Sequence, residues 1–511
     1  MSTTFHLQNF GCRATQADGA AIERELARRG WSAAEAGEAE VAVLNTCTVT
    51  ASADADARAA IRRIHRENPE CKILVTGCYA QRAPEELAAL PGVAWVVGNS
   101  HKHEIGALLG ASPQGLKPLS SVTDCGTLAS RVRAEALTYR VVPFPKSANR
   151  EFVPLTAILA PSNQKSEIGN QKFWINHKIT NSPSHQILVG DIFAHTELLA
   201  APVFDLGASN ERTRPNLKAQ DGCNNRCSFC VIPSVRGRSR SLPVAGVLRE
   251  VGALVEMGYR EVVISGINLG QWGKDVGGEM RFVDLVRAIV NETALEKLRI
   301  SSVEPMDWRD ELIELVATHP RIARHAHVPL QSGSDAVLRR MHRRYRPWHY
   351  AQRIEKIRES APTAAIGADV MTGFPGETEA EFEESRAFIA SLPFTYLHVF
   401  TFSARPGTPG AAMPNQVPVE VARERTRILR ELSAQKNLQF RRSFVGGELA
   451  AITLQRANEG FTEAITDNYL KLSLRGEHAA NRWMQARIEG VTTQGLIGSR
   501  WPEQIETSPL G

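Results

Sequence analysis

At 511 residues the chain exceeds what one core of about 100 to 200 residues accommodates, so about three domains are expected. Hydrophobic residues at 43% and charged residues at 23% are ordinary globular values, and a net charge of +5 does not by itself argue for nucleic acid. No basic and apolar leader and no run of about 18 apolar residues is found, so the expectation is a cytoplasmic protein with no membrane segment.

The first hundred residues alternate short apolar runs with helical patterns. Thr4–Phe10 precedes Ala17–Arg29, Val41–Leu44 precedes Asp54–Glu67, Ile73–Val75 precedes Pro84–Leu90, and Ala94–Val97 precedes His101–Leu109. Strands spaced by helices of this length predict βαβ units in a doubly wound parallel sheet. Residues 140–215 break the rhythm with scattered Pro, Asn, Ser and Lys, as in Pro161–Gln171, and read as a linker with a loosely ordered insertion. Within it, Ile187–Val189 is a candidate for a local hairpin. From Leu217 the rhythm resumes, with strands expected at Val262–Ser265, Leu298–Val303, His325–Leu330, Ile366–Met371 and Tyr396–Phe402. Five or six such units predict a barrel or partial barrel with its active site at the carboxyl ends of the strands. A basic helical stretch near 421–440 would close this domain. In the last 65 residues or so, Leu470, Leu472 and Leu474 alternate with polar residues, as do Met484, Ala486 and Ile488, which predicts a small β barrel.

Two basic stretches stand out. Residues 421–444 carry Arg423, Arg425, Arg427, Arg430, Lys436, Arg441 and Arg442 against Glu424 and Glu431, and residues 339–346 carry five Arg. Each reads either as a phosphate-binding patch or as a solvated helix face.

Eight cysteines in a reducing compartment are free for metal binding or catalysis. Cys223, Cys227 and Cys230 have the spacing C-x3-C-x2-C. Three thiolates on one loop hold three irons of a cubane cluster and leave the fourth iron open. Structural zinc requires four closed ligands, and no fourth Cys or His lies nearby in the sequence. Cys12, Cys47 and Cys78 each follow a predicted strand of the first sheet, at the edge where parallel sheets bind ligands. They converge as a candidate second trio, against the alternative of three unrelated buried cysteines. Cys71 and Cys125 lack this placement and read as small apolar residues.

The Cys223–Cys230 loop resembles the radical S-adenosylmethionine signature. With Asn45-Thr46-Cys47, Thr76–Gln81, His327–Ser334, Thr372–Glu377 and Phe402–Pro409, the chain resembles the radical S-adenosylmethionine methylthiotransferase family over nearly its whole length. Gly11–Gln16 departs slightly, with Thr15 where the family usually has Asn. The resemblance implies a methylthiotransferase domain over 1–125, a linker and insertion over 126–214, a radical domain over 215–442, and a TRAM, OB-like RNA-binding barrel over 443–508. It implies two 4Fe-4S clusters, on Cys12, Cys47 and Cys78 and on Cys223, Cys227 and Cys230, with S-adenosylmethionine as cofactor. One cluster would cleave that cofactor to a radical that takes hydrogen from C2 of an adenine, and the other would supply or carry sulfur.

Cofactor contacts are expected from Gly266, Glu304, Gln331, Ser332 and Asp369. The partners implied are a tRNA substrate, an unidentified electron donor and an unidentified sulfur donor. RNA contact is expected from the terminal barrel and the Arg-rich stretches, with Phe461, Tyr469 and Trp483 as stacking or core aromatics. The run through Val235–Ser241 looks most like the branch acting on threonylcarbamoyladenosine beside the anticodon. The rivals are the isopentenyladenosine branch, the branch modifying a ribosomal-protein aspartate, and a non-catalytic metal-containing RNA binder.

Overall fold

In the first sheet, β3 (Val41–Thr46, VAVLNT) is buried at all six positions, as a strand covered on both faces by helices must be. It lies between β1 (Thr4–Asn9) and β4 (Lys72–Gly77), with β2 (Ser32–Ala33) and β5 (Val93–Gly98) flanking them, all parallel. The computed structural model describes residues 3–110, 178–181, 185–195, 214–277, 280–458 and 460–501. Helices Arg13–Arg28 and Ala51–Glu67 cross over between neighbouring strands, as the sequence pattern predicts. Thr50 caps the second by accepting from the Ala53 N–H at 3.2 Å.

One part of the expected linker belongs to this sheet. β6 (Lys178–Asn181) and β7 (Gln186–Val189) form the predicted hairpin, but β7 also pairs in parallel with β5, giving the order β2-β1-β3-β4-β5-β7-β6. Without β7 the strand β5 would be an open edge with unpaired N–H and C=O groups. Pro161–Gln171 and Cys125 lie outside the described residues. Cys71 is buried in the apolar core of this sheet, as expected.

The central domain is a partial barrel in two arcs. β8 (Asn216–Asp221), β9 (Arg240–Ser241), β10 (Glu261–Gly266) and β11 (Lys297–Ile300) form the order β11-β10-β8-β9. β12 (His325–His327), β13 (Ala365–Thr372) and β14 (Tyr396–Thr401) form the second arc. The Val303 N–H donates to His327 O at 3.1 Å where the arcs meet. Helix Val419–Arg442 packs its buried Leu429 against this core and closes the domain.

β15 (Glu448–Asn458), β16 (Phe461–Thr466), β17 (Lys471–Arg475), β18 (Trp483–Val491) and β19 (Leu496–Arg500) form a closed barrel, β15-β16-β17-β19-β18. Leu472 and Leu474 point inward, while Lys471 and Arg475 stay exposed. This barrel is seated on the central one. Arg299, fully buried, donates to Asp467 O at 3.1 Å and Thr466 O at 3.4 Å, and Tyr469 lies with its ring 4.9 Å from that of His325.

That seating changes the reading of the stacking aromatics. Tyr469 and Trp483 pack toward the central domain, the latter with Lys297 Nζ 5.2 Å from its ring, and Phe461 lies half-buried beneath Arg475. The 421–444 patch is also mostly consumed internally. Arg425 is buried against Glu377 and Glu379, Arg427 is tied to Glu424 and Glu431, and Lys436 donates to Ala390 O and Leu392 O. Arg441 holds Thr492 O in the terminal barrel, leaving Arg423 and Arg442 exposed. No helix among the described residues is long and apolar enough to cross a membrane.

Candidate active site: two cysteine trios across a domain interface

The first trio is assembled by three adjacent strands. Cys12 sits at the N-terminus of helix Arg13–Arg28 after β1, Cys47 follows β3, and Cys78 opens helix Cys78–Arg82 after β4. Parallel pairing in the order β1-β3-β4 brings the three to one edge. Cys12 is exposed, whereas Cys47 and Cys78 are buried. Two glycines permit the closure. A Cβ on Gly11, whose φ is +94°, would fall 2.5 Å from Cys47 Cβ, and one on Gly77, at φ +99°, would fall 2.3 Å from Thr46 O. Gly11→Ala should therefore displace Cys47 and lower iron at this trio, seen as a loss of about half the iron of anaerobically reconstituted protein.

The second trio lies on the loop after β8. The Cys223 N–H donates to Gly237 O at 3.1 Å, the Cys230 N–H to Cys227 O at 3.1 Å, and the Asn225 N–H to Cys223 Sγ at 3.4 Å. Gln271 accepts from the Asn224 N–H at 3.0 Å and donates to Asn225 at 3.1 Å, which fixes the loop from outside. Ser228 ties the loop to residues 340–341 through the carbonyls of Arg340 and Met341.

The two trios meet at one apolar cluster. Cys78 shares one apolar cluster with Val231, Ile232 and Val235, against which Cys223 and Cys230 pack. Burial, then the neighbouring sulfurs Cys78 and Cys12, push the Cys47 thiol up to about 12. Burial and the neighbours Cys227 and Cys223 likewise raise Cys230 to about 12. Sulfurs gathered this closely become thiolates only when a cation shares the site, and the donor set of each trio suits iron.

A buried ionic network fixes one trio against the other. Asp18, from the first domain, binds Lys102 at 2.9 Å and Arg236 at 3.0 Å and contacts Lys218, the last two from the central domain. Arg236 also grips Asp221 with two bonds of 2.9 and 3.0 Å. Asp18, Lys102, Lys218 and Arg236 are each at most 3% exposed. Burial opposes ionisation of Asp18, yet Lys102, Lys218 and Arg236 hold its carboxyl well below the usual range. A second tie, Arg405 to Asp54 at 3.0 Å, joins the Phe402–Pro409 segment to the helix after Cys47.

The expected cofactor contacts divide. Glu304 lies beside the second trio, paired with Arg343, which also donates to Cys227 Sγ at 3.2 Å. Burial raises the Glu304 carboxyl and Arg343 partly offsets it. Gln331 is held at φ +68°, with its side-chain oxygen buried and without a hydrogen-bond partner among the described residues. Ser332 does not reach a pocket, because its hydroxyl is spent on Ser385 at 2.8 Å and on the Ser334 N–H. Gly266 makes room for a side chain: a Cβ there would fall 2.8 Å from Gln220 Oε1, and Gln220 Nε2 holds Gly222 O at the start of the cysteine loop. Asp369 lies between His327 and His398, at 3.4 and 3.2 Å.

The sequence reading missed Arg343, Arg236 and the two histidines. Arg343 was visible only as one member of a charge run. Arg236 and His327 lie inside quoted motifs with nothing local to single them out.

The Radical SAM superfamily pattern matches residues 217–389, and the pattern described as Uncharacterized protein family UPF0004 matches residues 4–98. The chain is 31% identical over 482 residues to the threonylcarbamoyladenosine tRNA methylthiotransferase MtaB of Aquifex aeolicus (strain VF5), covering 94% of this chain and 99% of that one. It is also 31% identical over 498 residues to the tRNA-2-methylthio-N(6)-dimethylallyladenosine synthase of Thermobifida fusca (strain YX), covering 96% and 85%. The fold is similar to the radical S-adenosylmethionine methyltransferase TsrM of Kitasatospora setae, solved with tryptophan and a cofactor analogue. That likeness has a TM-score of 0.50 and 14% identity, over 80% of this chain and 75% of that one. With relatives matched at this identity along almost their full length, and two thiol trios meeting at one apolar cluster in the fold, the chain belongs to the radical S-adenosylmethionine methylthiotransferase family, transferases that work with S-adenosylmethionine and iron–sulfur clusters.

Proposed function

We propose that the protein methylthiolates C2 of N6-threonylcarbamoyladenosine at position 37 of tRNA, using 4Fe-4S clusters on Cys12, Cys47 and Cys78 and on Cys223, Cys227 and Cys230. The observation that supports the two-site chemistry is the pair of three-thiol sites joined through the apolar cluster around Cys78 and Val231. When bound, the clusters and S-adenosylmethionine supply the radical that opens the inert C2–H bond, the sulfur and the methyl group. The protein's part is placement.

Three thiols per site leave one iron of each cluster free for an outside ligand. Arg343 and Glu304 stand beside Cys227 to orient a polar group bound there. The apolar wall of Val231, Ile232 and Val235 keeps water from the space between the sites.

Substrate access is supported by a cleft of about 760 Å3 between the domains. It is lined by Thr50 and Ser52 three to five residues after Cys47, by Phe402 and Ser403 after β14, and by Arg423 and Arg430. Arg423 supplies positive charge for phosphate there, and Lys471, Arg482, Arg487 and Arg500 expose more on the terminal barrel.

The branch preference rests on the likeness of Cys223–Pro233 and Val235–Ser241 to the threonylcarbamoyladenosine enzymes and on the A. aeolicus relative. Deleting and restoring the gene, then analysing tRNA nucleosides by mass spectrometry, tests it. The methylthio-threonylcarbamoyl nucleoside should disappear and return. Loss of the methylthio-isopentenyl nucleoside instead would move the protein to the neighbouring branch.

A further inference from the structure

We propose that His327, Asp369 and His398 form a divalent-metal site inside the partial barrel, distinct from the cysteine trios and of the two-histidine, one-carboxylate type. Three neighbouring parallel strands bring the ligands together. Asp369 on β13 is paired directly with His398 on β14, and His327, at the end of β12, is paired with Gly367, two residues before Asp369 on the same face. One nitrogen from each ring and one carboxylate oxygen all lie within 4.8 Å of one another. The Asp369 oxygen is 3.4 Å from His327 Nε2 and 3.2 Å from His398 Nδ1. Ligands about 2.0–2.2 Å from a common ion stand at about this separation.

A second observation points to a ligand. The His327 side chain is nine-tenths buried, and its Nε2 faces Asp369 without a well-formed hydrogen bond. Its other nitrogen, Nδ1, is held by Ser302 Oγ at 2.5 Å. Donation from Nδ1–H to a fixed oxygen is the arrangement that orients a metal-binding imidazole and leaves the Nε2 lone pair free. The His398 side chain is 61% exposed, so the coordination sphere is open on its side to water or to another oxygen ligand. The alternative is an Asp369 carboxylate between two protonated histidines with no ion. It makes the opposite binding prediction.

Mn2+ is the probe, because it prefers carboxylate, imidazole and water and does not compete for thiolates. Full-length, cluster-loaded protein, freed of loose metal on a chelating resin, is titrated with Mn2+ while the electron paramagnetic resonance signal of the free ion is followed. One equivalent should bind. His398→Ala and Asp369→Asn should weaken it at least tenfold with iron content and visible spectrum unchanged. His398→Gln keeps a donor to Asp369 without an imidazole nitrogen and should lose the ion as well. Absence of a stoichiometric site, or wild-type binding in either His398 variant, overturns the proposal. The methylthiotransferase reading stands in either case, since it rests on the cysteines.

Discussion

Asp18→Asn should destabilise the joint between the first and central domains by about 3–5 kcal/mol, the usual cost of removing one partner from a buried ionic network. The change is nearly isosteric, so no cavity adds to it. It leaves Lys102, Lys218 and Arg236 buried together with Asp221 as the remaining anion that the network records. The penalty is that of uncompensated cations in a dry interior rather than the net worth of the three ion pairs that Asp18 makes, since burying the charges already cost much of what their attraction returns. Urea unfolding of the anaerobic protein, followed by a probe in each domain, measures it. A shift worth less than about 1 kcal/mol would show that water reaches the network.

The same groups fix the acid limit. Asp18 and Asp221 are held well below their ordinary value of 3.8 in the folded protein. Their contribution is therefore complete above the unfolded value and is lost as pH falls below about 4 toward the folded values. Asp18→Asn should flatten that acid slope, because one of the two groups that must take up a proton is gone.

Replacing Cys12, Cys47 and Cys78 together with Ala should halve the iron while 5′-deoxyadenosine is still formed, and the methylthio product should vanish. Replacing Cys223, Cys227 and Cys230 should abolish 5′-deoxyadenosine formation as well. The expected asymmetry follows from the proposed roles: Arg343 and Glu304 stand at the Cys227 side, where a polar cofactor would be held. Anaerobic iron analysis and chromatography of the nucleoside products read both. Unchanged iron in the first variant would remove Cys12, Cys47 and Cys78 as ligands.

The grouping of Cys223, Cys227 and Cys230 was legible because one short loop carries all three cysteines and their spacing is a property of the local sequence. The first trio was legible one step further on, through the rule that parallel strands deliver their carboxyl ends to one edge, and Cys12, Cys47 and Cys78 do stand there. The terminal barrel announced itself through the period-two burial of Leu472 and Leu474. Pocket residues were harder. Ser332 sits in the His327–Ser334 motif and Gly266 at the end of a predicted strand, yet the Ser332 hydroxyl bonds Ser385 and Gly266 makes room for Gln220.

Sequence by itself determined the kinds of element, their order, and which cysteines belong to which group, since backbone periodicity and ligand spacing are properties of neighbours along the chain. The tertiary structure alone decided which charges are spent and which are free. Arg425, Lys436 and Arg441 read as a basic patch but are used up holding Glu377, backbone carbonyls and the terminal barrel. It also decided that β7 completes the first sheet, that Asp18 meets Lys218 across two hundred positions, and that His327, Asp369 and His398 converge. Partners of a buried charge are chosen by desolvation, which penalises every unpaired group wherever its partner lies in the chain, and no local pattern encodes that choice.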